Sequence, residues 1–137
     1  MIISGNVSKK QMKAIDWFAQ KLFSPQLSQH LYIRISYVKV DTHWGLAIID
    51  GHNKRGYPRE FIIEVNRSLT EHEKIMTLAH ELVHIRQYAK MELNEEMNSW
   101  HGEYVNADVI PYHEQPWEIE AYDVGDKLFK EYINGNV

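Results

Sequence analysis

The sequence predicts an α+β domain in which a small sheet of three to four strands packs on three helices. Apolar residues recur with a helical period near both ends of the chain and again in its middle. Between the N-terminal segment and the middle segment, apolar residues either alternate with polar ones or run together, as they do in strands. The resulting order of helix, three strands, helix, loop and helix is typical of the α+β class. The chain of 137 residues suits one modest hydrophobic core, so we expect a single domain over 1–137.

The first helix is predicted over 8–23, where apolar residues follow a 3.6-residue period and lysines occupy much of the remaining surface. Pro25 lies just beyond the expected end, at a position where a helix has normally stopped. The apolar residues of this helix are Met12, Ile15, Phe18 (or Ala19) and Leu22.

Three strands are predicted next. Residues 31–40 alternate between apolar and polar, as in a strand with one buried face. Residues 44–49 are more continuously apolar, and a polar turn follows at 51–56. The segment 60–65 is the third strand, so the sheet is expected to come from the first half of the chain.

The second helix is predicted over 70–91 and begins with a capping box. Thr70 and Glu73 have the spacing at which each side chain accepts a hydrogen bond from a backbone N–H of the other's turn. Glu71 and Glu73 also suit the positive end of the helix dipole. One apolar stripe with helical spacing runs along this segment, formed by Ile75, Leu78, Ala79, Leu82, Ile85 and Ala89.

The end of the chain is predicted as an irregular, aromatic segment over 94–116, with room for one short strand, followed by a helix over 117–133. Pro116 suits the first turn of that helix, whereas Gly125 lowers its helix propensity. We expect Trp117 to anchor this helix on the core.

Composition excludes several classes of protein. The chain has no cysteine, which excludes a disulfide framework and a zinc ribbon. Its net charge of −4 argues against binding nucleic acid through a positive field of its own. No segment has the pattern of a secretory signal or a membrane-spanning helix, so we expect no membrane partner and a cytoplasmic location.

The most informative motif, His-Glu-Leu-Val-His, lies inside the second predicted helix. Side chains four residues apart on a helix share a face, so the imidazoles of His80 and His84 can bind the same metal ion. Glu81 is then close enough to take a proton from a water molecule at that ion, as the general base of a zinc hydrolase. A catalytic zinc usually has three protein ligands, and the spacing leaves both Glu118 and Glu120 as candidates for the third.

The motif and a downstream helical E-x-E-A, at 118–121, together resemble the gluzincin group of zinc peptidases, notably the CAAX-prenyl-protease and ImmA types. The resemblance covers the metal helix and the last helix. It implies a minimal zincin-like fold, a Zn²⁺ cofactor and Glu118 as the third ligand. Gluzincins often have an aspartate four residues after that glutamate, where it orients a zinc-binding histidine. In this chain Tyr122 occupies that position, and Asp123 follows it.

The small size, and the strand before the metal helix, also resemble SprT-like and minimal gluzincin domains. SprT-type proteins use a third histidine as ligand, and His101 and His113 lie in the matching interval. In zincins, the strand before the metal helix forms the upper edge of the cleft and pairs with extended substrate, which implies this role for 60–65. The histidines that lack such a context, and are expected at the surface, are His30, His43, His52 and His72.

These features predict a zinc-dependent metallopeptidase, a hydrolase that cuts a peptide or protein substrate, with Glu81 as general base and a partner protein contributing selectivity. The candidates for stabilising the oxyanion are Tyr104, Tyr112 and His113. Two alternatives stay open. One is a non-catalytic, zinc-stabilised domain for protein interaction. The other is a SprT-like protease acting on DNA-bound proteins, against which the acidic charge and the missing zinc ribbon count.

Overall fold

The computed structural model describes residues 1–39 and 42–135, and it confirms the α+β class. Four strands form one mixed sheet in the order β1-β2-β4-β3, and a short hairpin, β5-β6, stands apart from it. The strands are β1 (Ile2–Gly5), β2 (Tyr32–Val38), β3 (Gly45–His52), β4 (Pro58–Asn66), β5 (Ser99–Trp100) and β6 (Glu103–Tyr104). The helices are α1 (Lys9–Leu22), α2 (Pro25–Ser28), α3 (Glu71–Ala89) and α4 (Pro116–Gly135).

The predicted helices are confirmed, with ends set by their capping residues. The Thr70 side chain accepts from the backbone N–H of Glu73 at 3.2 Å, and the Glu73 side chain accepts from that of Thr70 at 2.9 Å. Ser8 and Gln11 form a second capping box at the start of α1. Pro116 is the first residue of α4. In each case the sequence satisfies or removes backbone donors that the first helical turn leaves unpaired.

The N-terminal strand β1 was not predicted. Its residues pair in parallel with β2, Ile2 opposite Tyr32 and Gly5 opposite Ile35. A four-residue strand is too short to show a period, and its pairing partner lies a whole helix away in the chain. The first predicted strand, 31–40, corresponds to β2 and ends at Val38 in the structure, and the predicted end at Val40 lies outside the described residues.

The sheet order corrects the role expected for 60–65. This segment lies within β4, which pairs in parallel with β2 on one side and antiparallel with β3 on the other. Its backbone N–H and C=O groups are therefore hydrogen-bonded to the two neighbouring strands, and β4 cannot pair with an extended peptide. The edge strand next to α3 is β3, and no strand of the described chain pairs with its outer side. Local pattern alone did not reveal this order, because pairing of distant strands is decided by the whole fold.

Helix α3 occupies the centre of the molecule. It packs against β3 and β4, contacts α1, and has its most extensive helix contact with α4. Leu78 and Leu82 of α3 are fully buried in the core beside Phe18, Phe61 and Trp117. The complete burial of Trp117 confirms that it anchors the start of α4. No helix within the described parts of the chain has the length and hydropathy needed to cross a membrane.

Candidate metal centre

Helices α3 and α4 bring three potential ligands to one point. Nε2 of His80 lies 3.2 Å from Oε1 of Glu118, and Nε2 of His84 lies 3.1 Å from the same oxygen. All three ligand atoms lie within 4.8 Å of one another. His84 and Glu118 are buried, while the side chain of His80 keeps 14% of its surface exposed. The site is thus enclosed at the helix interface and open on one side.

These distances fit a metal ion. Zinc bonds of about 2.0–2.2 Å in a tetrahedral arrangement place neighbouring ligand atoms about 3.4 Å apart. The two nitrogen–oxygen distances, 3.2 and 3.1 Å, are already close to that separation. The group of His80, His84 and Glu118 could therefore hold a metal ion.

The ligand glutamate is placed by the first turn of α4. There the positive end of the helix dipole favours a negative charge. Burial acts to raise the pKa of Glu118, but hydrogen bonds from His80 and His84 outweigh it and lower that pKa to about 2. Burial also acts to lower the pKa of His84, but the hydrogen bond to Glu118 and the charge of Glu81 raise it to about 8. The pocket therefore favours an ionised carboxylate at residue 118.

The residue that orients His84 is Gln87. Its Oε1 lies 2.8 Å from Nδ1 of His84, so a proton held on Nδ1 leaves the Nε2 lone pair free to bind a metal. The amide nitrogen of Gln87 donates to the carbonyl of Trp117 at 3.0 Å and to Glu120 at 3.0 Å. Gln87 is completely buried, whereas Asp123, considered for this role from the gluzincin resemblance, faces solvent. The sequence signal for Gln87 was a polar residue one turn after His84, off the apolar stripe.

The other candidates for the third ligand lie elsewhere. Glu120 forms a salt bridge with Arg86 and accepts from Gln87. His101 is exposed in the turn between β5 and β6, with a φ of 50°. His113 is exposed in a short 3-10 helix, Tyr112–Glu114. None of these side chains joins the group that His80, His84 and Glu118 form within the described chain.

Among the three oxyanion candidates, Tyr112 alone contacts the ligand group. Its hydroxyl donates to Oε1 of Glu118 at 2.8 Å. Burial, with contributions from Tyr122 and Glu118, raises the pKa of Tyr112, so the hydroxyl keeps its proton at neutral pH. The ring of Tyr122 also lies against that of His80, at 4.5 Å between centroids. Tyr104 is 76% exposed on the hairpin and lies away from the ligand group.

Glu81 is a buried carboxylate that is not part of the ligand group. Only 5% of its surface is exposed, and this burial raises its pKa, against the lowering effect of His84 and His80. The edge strand β3 crosses directly over it. A Cβ added to Gly45 would lie 3.1 Å from Oε2 of Glu81 and 2.5 Å from Cγ2 of Thr77. Glycine at position 45 thus permits the edge strand to approach the carboxylate.

The prediction of a surface position was wrong for His43. Its side chain is partly buried just before β3, and its Nε2 atom is buried without a hydrogen-bond partner in the described chain. It is close enough to Glu81 for a charge on its ring to lower the pKa of that carboxyl. His30, His52 and His72 are exposed, as predicted. His43 could not be placed from sequence because its surroundings come from α3, far along the chain.

Comparisons of this chain with family models, with curated proteins and with solved structures found no match.

Proposed function

We propose that this protein is a zinc-dependent metallopeptidase. The observation that carries the proposal is the position of Glu81, a buried carboxylate that lies next to a His-His-Glu ligand group without belonging to it. A site that used a metal only for stability would need the three ligands alone. It would have no use for a fourth ionisable group that is buried, because keeping a buried group charged is costly.

Two imidazoles and one carboxylate form a ligand set typical of catalytic zinc, with one position left for a substrate or water. When bound, zinc acts as a Lewis acid toward a peptide carbonyl and makes water acidic enough to attack near neutral pH. Gln87 holds His84 in the tautomer that such an ion requires. Glu118 lies in the first turn of α4, and its carboxylate contacts both histidine rings.

In the proposed reaction Glu81 acts as general base and then as general acid. Its carboxylate takes a proton from the attacking water and later gives that proton to the leaving nitrogen of the cleaved peptide. Burial raises the pKa of Glu81, which makes the carboxylate a stronger base than one in water. The hydroxyl of Tyr112, which keeps its proton and contacts the carboxylate of Glu118, would donate to the developing oxyanion when substrate is bound.

We assign the edge strand β3 as the substrate-binding strand. Its outer backbone groups pair with no strand of the described chain, and its N-terminal end lies on Glu81. An extended peptide can hydrogen-bond to such an edge as an additional strand. Trp44 and Leu46, at this end of the strand, expose 47% and 44% of their surfaces.

The proposal is tested with purified protein, metal analysis and fluorescein-labelled casein as substrate. We expect one zinc ion per chain, cleavage of casein, and loss of cleavage on removal of zinc with a chelator. Glu81→Gln should retain the zinc but lose at least about 100-fold in kcat, in line with general-base contributions. A protein that binds no zinc, or that cleaves equally well with chelator present, contradicts the proposal.

One observation also supports a structural role for the ion. The three ligands join α3 to α4, so a bound metal would stabilise the packing of these helices whether or not the site is catalytic. Two variants distinguish a structural role of the metal from a catalytic one. His80→Ala should lower the melting temperature in either case, whereas Glu81→Gln should affect cleavage only if the site is catalytic.

A further inference from the structure

His43 has a buried nitrogen with no hydrogen-bond partner among the residues that the structure describes. The Nδ1 atom lies 3.1 Å from the hydroxyl of Thr42, whereas Nε2 is buried and makes no hydrogen bond to any described residue. Buried polar atoms in native proteins nearly always have a partner, and an exception calls for a ligand, a water or a catalytic role. Two other buried nitrogens share this property. Arg86 Nε belongs to a guanidinium already paired with Glu120, and Trp117 Nε1 lies in the closed core.

The position of His43 is fixed by the sheet. The backbone N–H of Asn66 donates to the carbonyl of Trp44 at 2.8 Å, and the Asn66 side chain reaches the carbonyl of His43 at 3.4 Å. Two residues later, the backbone of Gly45 lies against Glu81. The imidazole of His43 is therefore held at the same end of the edge strand as the proposed general base, and it interacts electrostatically with it.

His43 is not a fourth metal ligand, because its ring nitrogens do not join the group formed by His80, His84 and Glu118. Its Nε2 atom, which has no partner among the described residues, is therefore available to a group that enters the site. When the Thr42 hydroxyl donates to Nδ1, the ring proton lies on Nε2, and the neutral imidazole is a donor without an acceptor. In a peptidase, the carbonyl oxygen of the peptide bond being cut lies beside the general base. This oxygen can accept a hydrogen bond from the Nε2–H group of His43.

We propose that His43 is a catalytic residue that donates a hydrogen bond from Nε2 to this carbonyl oxygen as it becomes an oxyanion. The inference rests on the proposed peptidase function. His43 keeps its own proton throughout, so it adds no step to the proton transfers of Glu81. It would act together with the Tyr112 hydroxyl, the donor from α4's side of the site.

The first test compares three variants of the zinc-loaded protein with casein as substrate. His43→Phe keeps a ring but removes the donor, and we expect kcat to fall about 10²- to 10³-fold with KM and zinc content unchanged. His43→Gln places an amide N–H near the position of Nε2 and should restore part of that loss. His30→Phe, at an exposed position just before β2 and outside the proposed substrate-binding strand, is the matched control and should behave as wild type.

Three outcomes overturn the inference while leaving the peptidase proposal intact. They are full activity in His43→Phe, loss of zinc from that variant, and a His43→Gln variant no better than His43→Phe. A wild-type protein that binds no zinc overturns the peptidase proposal and this inference together.

A second readout does not depend on turnover. Acetohydroxamic acid binds zinc through oxygen atoms, one of them a carbonyl oxygen, and so places an acceptor at the metal. With ¹⁵N-labelled, zinc-loaded protein, we expect its addition to shift the Nε2 resonance of His43 and to leave that of His30 unchanged. If the wild type binds zinc but cleaves no casein, this shift still supports a ligand-facing His43, and an unchanged resonance overturns it.

Discussion

Gly125 lies directly against the backbone of His80, so α4 crosses α3 at the turn that carries the first proposed metal ligand. A Cβ at position 125 would lie 3.1 Å from the Cα of His80 and 3.3 Å from its nitrogen, closer than side chains normally approach backbone. The sequence marked Gly125 only as a weak point in a helix. In the structure it allows α4 to pack closely on the turn of α3 that carries His80.

Gly125→Ala should therefore weaken zinc binding more than it weakens the fold. Alanine adds about 1 kcal/mol of helix propensity, which opposes an overpacking cost of about 1–3 kcal/mol. The added methyl group, however, also pushes α4 away from α3 and so moves Glu118 away from the histidines. Nothing offsets this loss of metal binding. We expect zinc affinity, measured by competition with a chromophoric chelator, to fall about tenfold or more. Gly135→Ala is the control, because a Cβ there meets nothing within 4 Å; equal affinities in the two variants would contradict this reading of Gly125.

Replacing Gln87 with methionine should lower zinc affinity about 10- to 100-fold, as is typical when a residue that orients a metal ligand is removed. The reason is the 2.8 Å contact between Oε1 of Gln87 and Nδ1 of His84, which methionine cannot make. Gln87→Glu keeps an acceptor at this position and should bind zinc more tightly than the methionine variant. Isothermal titration of metal-free protein with zinc measures both. A methionine variant with wild-type affinity would show that Gln87 acts only in packing.

Tyr112→Phe should reduce kcat about 10²- to 10³-fold at saturating zinc, if the hydroxyl stabilises the oxyanion. The hydroxyl donates to Glu118 at 2.8 Å, so zinc affinity should also fall, by a smaller factor. Steady-state kinetics on casein over a range of zinc concentrations separates the two effects. If activity returns fully when zinc is saturating, Tyr112 supports the ligand and takes no part in the reaction. Tyr104→Phe, on the exposed hairpin, is the control and should leave kcat unchanged.

The metal-free protein should be most stable at mildly acidic pH. The pKa of His84 is raised to about 8, so its contribution is complete below its unfolded value of 6.5 and is lost as pH rises through 8. The pKa of Glu118 is lowered to about 2, so its contribution is present above its unfolded value of 4.5 and is lost as pH falls through 2. Both contributions are therefore present together between 4.5 and 6.5.

Urea unfolding of chelator-treated protein at pH 5.5 and pH 8.5 tests this expectation, with His84→Gln as the comparison. The wild type should lose more stability than the variant between the two pH values. An equal loss in both would show that His84 does not carry the effect.

Local signals predicted the helices and most of the ligand group because those features repeat at short range. The capping box at Thr70 and the apolar stripe fixed the register of α3, and that register placed His80 and His84 on one face. Glu118 came from resemblance, and the structure brings its carboxylate to the same point.

Features that depend on distant contacts were missed. The central position of β4 follows from pairing with two strands of different direction, and no local pattern encodes it. Gln87 and His43 gained their roles from neighbours on α4 and α3 that are far away in the chain. Interaction with Trp117 makes Gln87 a link between helices, while its sequence context shows only a polar residue in a helix.

An unpaired strand edge attracts any extended chain, including a second copy of the same protein. In β3 the register shifts between Ile49 and Gly51, which leaves a regular run of only five residues, Gly45 to Ile49, beside the site. A partner strand can form few hydrogen bonds along so short a run, so pairing there without further contacts is weak. The irregularity therefore guards the molecule against edge-to-edge aggregation. It also means that a peptide is held firmly only when something at the site itself, such as a metal ion, adds to its binding.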